Sequence, residues 1–117
     1  MSYMLLIIEP AGQRRERSEA EGRKLYDDML AFSASLKERG LLQLSQSLRS
    51  ADQAVRVRVA GGERTQVDGP FAEAKEIVGG FFLLNCDDRS QALEIAASCP
   101  AAQWATVEVR ELGPCFT

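Results

Sequence analysis

The chain contains no histidine. That removes the commonest general acid–base side chain and every Ser–His or Cys–His nucleophile arrangement. It also takes away the usual axial ligand of a haem and leaves a zinc site only unusual ligands. Cysteine is scarce: Cys86, Cys99 and Cys115 are odd in number and form no C-x-x-C pair, so neither a disulfide framework nor a zinc knuckle is indicated. There is no excess of basic residues, with 14 Lys and Arg against 17 Asp and Glu and a net charge of -3. The balance gives no electrostatic basis for binding nucleic acid or an anionic membrane. Long apolar runs are missing too. Met1–Ile8 is too short for a membrane span or a signal core and carries no basic leader, so a cytoplasmic location with free thiols is expected. No Gly-rich dinucleotide fingerprint occurs, and no cofactor is expected.

What is present fits one α+β domain over residues 1–117. Tyr3–Glu9 is a continuous apolar run suited to a central strand covered on both faces. Ser18 and Glu21 form a capping box that opens a long helix, with Leu25, Met29, Phe32 and Leu36 as its buried stripe and Gly40 as its stop. The arginines Arg14, Arg15 and Arg17, interleaved with glutamates, read either as a solvated entrance to that helix or as a phosphate contact. Leu42, Leu44, Gln46 and Leu48 fall on one face of the next strand. Gln46 is there either a core amide with backbone partners or a ligand contact. Val55, Val57 and Val59 alternate with Arg56 and Arg58 as a half-buried strand, and Gly61-Gly62 turns it back into a short strand over Arg64–Val67.

Gly80–Cys86 is again apolar on both faces. Asp88 caps a second helix whose core side is Leu93, Ile95, Ala96 and Cys99, and Pro100 ends it. Thr106–Leu112 alternates cleanly and closes the sheet, with Trp104 packing just before it over a helix end or at a subunit contact. The order β-α-β(ββ)-β-α-β predicts a ferredoxin-like antiparallel sheet made of two split βαβ units, with both helices on one face. The other face would be an apolar patch too large for a monomer, so a homodimer with sheets packed face to face is expected.

The distinctive segment is Asp68-Gly69-Pro70-Phe71-Ala72-Glu73-Ala74-Lys75-Glu76-Ile77-Val78-Gly79-Gly80-Phe81-Phe82. It resembles the signature of the YCII-related, DGPF-motif family, and the opening YMLLI and closing VEVRE resemble that family's first and last strands. The resemblance implies a bacterial, intracellular protein of the dimeric α+β barrel superfamily. Some relatives are encoded beside sigma factors, which implies a sigma-factor association. The family is also linked with acid–base chemistry at a His–Asp pair in a cleft. Asp68 stands at the motif position of that Asp, Gln46 is placed where some relatives carry His, and no histidine exists here as partner. Ala74 and Val78 replace the family's usual Thr and Leu.

Read physically, Asp-Gly-Pro is turn chemistry, Phe71 plugs the loop onto the core, and Gly79-Gly80 permits close backbone approach. Asp68, Glu73, Lys75 and Glu76 then either rim a ligand cleft together with Gln46 or merely hold the loop by ion pairs. Asp87 and Asp88 should raise the Cys86 pKa, which makes it a structural thiol. Three functions follow: a small-molecule-binding or regulatory homodimer; a small enzyme with Asp68 as general acid or base and Lys75 or Gln46 orienting an oxyanion; and a protein-interaction module of the transcription machinery.

Overall fold

A computed structural model describes residues 2–116. Strand β1 covers Tyr3–Pro10, helix α1 Glu19–Glu38 and strand β2 Leu42–Ser47. Strands β3 (Val55–Ala60) and β4 (Glu63–Asp68) form a hairpin. Strand β5 covers Glu76–Leu84, helix α2 Arg89–Ser98 and strand β6 Thr106–Glu111. The main sheet has the order β2-β5-β1-β6, every pairing antiparallel, with the hairpin as a separate two-stranded sheet. This is the expected ferredoxin-like α+β order with the hairpin inserted. Among the described residues the sheet remains open and does not close into a barrel.

Local chemistry sets the helix limits. The Ser18 hydroxyl accepts from Glu21 N at 3.1 Å, and Ser18 N donates to Glu21 Oε1 at 3.3 Å, completing the capping box. Ser18, through its side chain first and its backbone N–H second, holds the Glu21 carboxyl below its ordinary pKa. Gly40 ends α1 with φ of +72°. Asp88 caps α2 by accepting from Ser90 N at 2.9 Å. Gly61 and Gly62 turn the hairpin with φ of +57° and +81°.

The core lies between the sheet and the two helices. Tyr3, Leu5 and Ile7 of β1 and Phe82 and Leu84 of β5 meet Leu36 of α1 and Ala92, Ile95 and Cys99 around α2. The Phe32 ring meets Phe82 edge-on at 5.4 Å. Leu93 stands outside this core, 44% exposed, and Ala92 takes the inward place. Positions 92, 95, 96 and 99 make the helical stripe, and Leu93 is rotated off it.

Two strands depart from expectation. A bulge between Leu42 and Leu44 shifts the register of β2, so Leu42 pairs Leu84 while Leu44 pairs Leu83. Leu42 therefore faces the helices, Leu44 and Gln46 lie on the opposite sheet face, and Leu48 falls beyond the strand. In β3 the valines are uncovered, with Val55, Val57 and Val59 at 49%, 56% and 68% exposure. Alternation is present, but the hairpin pairs with no strand of the main sheet, and among the described residues no layer covers its valines. The radius of gyration, 16.0 Å, exceeds the about 13 Å of a compact chain of this length for that reason.

On the open side of the main sheet stand Met4, Leu6, Ile8, Phe81 and Leu83, bordered by exposed Leu44 and Val78. Their alternation with the core residues leaves them without a covering layer among the described residues. Among the described residues no helix is long and apolar enough to cross a membrane.

Candidate functional site

Alternation along β1 has a consequence at its end. Tyr3, Leu5 and Ile7 face the helices, and the next position on that face is Glu9. Its carboxylate is carried inward and is 2% exposed. A buried carboxylate needs a partner, and Arg14 supplies it: Nε donates to Glu9 Oε1 at 2.6 Å and Nη2 to Oε2 at 3.3 Å. Arg14 sits on a 3₁₀ turn, Gln13–Glu16, which follows Gly12 in a left-handed conformation. Its guanidinium also donates to Leu48 O at 2.8 Å and to Gly79 O at 3.2 Å, tying β1, β2 and β5 together at one end of the sheet.

The motif glycines make room for this pair. Gly79 sits at a bulge: Ile7 pairs Gly80 while Ile8 pairs Val78. A β-carbon on Gly79 would lie 2.7 Å from Glu9 Cδ and 2.9 Å from Arg14 Nη2. One on Gly80 would lie 2.9 Å from Gln46 O. The close approach expected of these glycines is therefore present, and it serves a buried ion pair as well as backbone.

Above the pair is a cavity of about 360 Å³ between α1 and the sheet. Glu9, Arg14 and Gly79 border one end, and Arg17 and Trp104 contribute to the wall. Leu25, Met29 and Leu30 of α1 and Ile7 and Phe82 of the sheet give it apolar sides. Ser33 and Ser45 add a hydroxyl pair at 3.1 Å. Such a mixture, mostly apolar with a few convergent polar groups, is the ordinary make-up of a small-molecule site. Arg17 lies with its guanidinium carbon 4.8 Å from the Trp104 ring centre. Two of the three clustered arginines are thus drawn inward, and only Arg15, 3.5 Å from Asp52, fits a solvated entrance.

The residues singled out in the sequence are divided. Gln46 borders the cavity on β2, on the strand whose Ser45 and Ser47 face the helices. Asp68, Glu73, Lys75 and Glu76 do not border it. Asp68 is exposed at the end of β4, opposite Val55, and its carboxylate has no hydrogen-bond partner among the described residues. Glu73 lies 3.6 Å from Arg56 of the hairpin. Phe71 is half-buried with the Arg56 guanidinium 3.7 Å above its ring, so it packs on the hairpin and does not enter the core. Lys75 O accepts from Ala11 N at 2.8 Å, and Glu76 opens β5 opposite Pro10. Gly69, before a cis Gly69–Pro70 bond, donates its N–H to Ala54 O at 2.7 Å and leaves no room for a side chain against the Ala51 carbonyl.

The thiols are placed as structural groups. Cys86 and Cys99 are buried, and burial is the first cause raising both pKa values, with Asp87 and Asp88 adding to it at Cys86. Cys99 Sγ contacts Met29 Sδ at 3.9 Å. Cys115 is exposed.

A family model for the YCII-related domain matches residues 1–115. The chain belongs to the YCII-related family. It is also 32% identical over 114 residues to an uncharacterised protein of Rhizobium meliloti (strain 1021), a match covering 96% of this chain and 92% of that protein. The YCII-related domain thus spans the sheet, both helices and the hairpin, and the Glu9–Arg14 pair lies inside it.

Sequence reasoning missed Glu9, and it noticed Arg14 and Arg17 without linking them to Glu9 or Trp104. A signal existed: an acidic residue continuing the inward face of an otherwise apolar strand, five residues before an arginine. A charge in that position either breaks the strand or demands a buried counter-charge.

Proposed function

We propose that the chain is a small-molecule-binding module acting as a homodimer, with its ligand held in the cavity between α1 and the sheet. The observation carrying this reading is the cavity itself, about 360 Å³, set directly against a buried Glu9–Arg14 pair. A chain selected only for stability gains little from such a pair, because apolar residues of similar size fill the same space at least as well. An anchored pair at the end of an apolar cavity instead offers fixed polar contacts to a bound molecule. The dimer is supported by the uncovered apolar side of the main sheet, where Leu6, Phe81 and Leu83 lie together. Two such faces bury each other around a two-fold axis.

The test is a titration followed by the fluorescence of Trp104, the chain's one tryptophan, with a set of small amphiphiles, alongside light scattering. A saturable change is expected, and a mass of twice the 12.9 kDa protomer. Phe81→Asp should yield monomers. A protomer mass for the unmodified chain would remove the dimer, and no response to any amphiphile would remove the cavity as a site.

A second reading, contact with a protein partner such as a sigma factor, is supported by the hairpin, whose Val55, Val57 and Val59 are all exposed. Val57→Lys would abolish co-purification with such a partner while leaving the light-scattering mass unchanged. Unaltered co-purification would count against the hairpin as the contact.

A further inference from the structure

The cavity's charges do not balance. Arg14 is matched by Glu9 at 2.6 Å, but Arg17 has no carboxylate within 4.0 Å among the described residues. The Glu21 carboxylate is engaged with Ser18 at the helix start, which lowers its pKa more than Arg17 does. The imbalance coincides with a hydrogen-bond deficit. Arg17 Nη2 and Trp104 Nε1 are both buried and both lack a partner. Unpaired buried donors are uncommon and costly, and two of them stand at one wall of one cavity.

Nearby, Gln13 donates its Nε2 to Trp104 O at 2.7 Å and holds the one unpaired acceptor in the cluster, Oε1. That single oxygen cannot balance the cluster, because a guanidinium fork and an indole together carry more N–H groups than an amide oxygen has lone pairs. What the wall lacks is an acceptor carrying negative charge. Leu25, Met29 and Phe82 give the cavity its apolar sides.

We infer that the ligand is a small organic monocarboxylate, its carboxylate received by Arg17 beside Trp104 and its apolar body lying along α1. A planar guanidinium is suited to a carboxylate, which it meets with two parallel bonds. The inference rests on the reading of the cavity as a binding site and adds the charge of what enters it.

The test compares hexanoate with hexanamide, which have the same length and shape and differ in charge. Binding is followed by Trp104 fluorescence and by the single indole N–H resonance. Hexanoate should bind about tenfold more tightly, equivalent to about 1.4 kcal/mol, and should shift the indole resonance more. In Arg17→Gln the two probes should bind equally, the preference for hexanoate being lost. In Arg17→Lys part of the preference should remain, which separates loss of charge from loss of fold. Equal binding of the two probes to the unmodified protein, or a preference that survives Arg17→Gln, overturns the carboxylate assignment and leaves the cavity a binding site. If neither probe binds, the assignment and the binding site fall together.

Discussion

Gly79 and Glu9 occupy adjoining space. The absent side chain of one is filled by the carboxylate of the other, which Arg14 then secures to Gly79 O at 3.2 Å and Leu48 O at 2.8 Å. A motif glycine on β5 and an acidic residue at the end of β1, distant in sequence, are thereby parts of one arrangement.

Gly79→Ala should push the Glu9–Arg14 pair out of place. A β-carbon there meets Glu9 Cδ at 2.7 Å and Arg14 Nη2 at 2.9 Å, and overpacking of this kind typically costs about 1–3 kcal/mol. Urea denaturation should show a loss of that size, together with weaker ligand binding. Unchanged stability would mean the pair moves aside freely.

Glu9 and Arg14 should behave as a coupled pair. Removing one partner leaves the other buried and unmatched, so Glu9→Gln and Arg14→Met should each destabilise by about 2–4 kcal/mol, toward the lower end because Arg14 is partly exposed. The double variant should lose clearly less than the sum. Additive losses in a double-mutant cycle would show that the two act independently.

The buried thiols imply a loss of stability in alkali. Burial raises the folded-state pKa of Cys99 above its ordinary value of 9.0. A raised value means the folded chain holds its proton more tightly than the unfolded chain. The contribution is complete below the ordinary thiol pKa and is lost as pH rises from there through the raised folded value. Unfolding measured between about pH 7 and about pH 10 should show this decline, and Cys99→Ala should flatten it while lowering stability throughout. The exposed Cys115 should react with a thiol reagent well before Cys86 or Cys99.

Asp68→Asn should leave binding in the cavity unchanged, within about twofold. Asp68 is exposed, lacks a hydrogen-bond partner among the described residues and does not border the cavity. A large loss of affinity would bring the motif loop into the site.

Much of the fold was readable because its signals are local. The Ser18–Glu21 box, the Gly40 stop, the Gly61-Gly62 turn and the Asp88 cap each act within a few residues, and each stands where its chemistry requires. Misplaced features depended on long-range register. Leu44 and Gln46 changed faces because of one bulge near Gln43, and the β3 valines found no covering layer because the hairpin leaves the main sheet. The site was less legible than the fold. Charges gathered in the motif drew attention to Asp68, Glu73, Lys75 and Glu76, whereas the groups that converge on the cavity come from β1, the turn after it and the segment before β6. Only the tertiary pairing of Glu9 with Arg14 and the stacking of Arg17 on Trp104 brought them together.

The most direct measurement is to map backbone amide and indole resonances while hexanoate is added to the intact protein. Binding in the α1–sheet cavity predicts the largest shifts at Gly22, Gly79, Gly80 and the Trp104 indole, with little change at Asp68 and Glu73. Shifts concentrated at Asp68, Glu73 and Lys75, with the Trp104 indole unmoved, would contradict it and place the ligand at the motif loop.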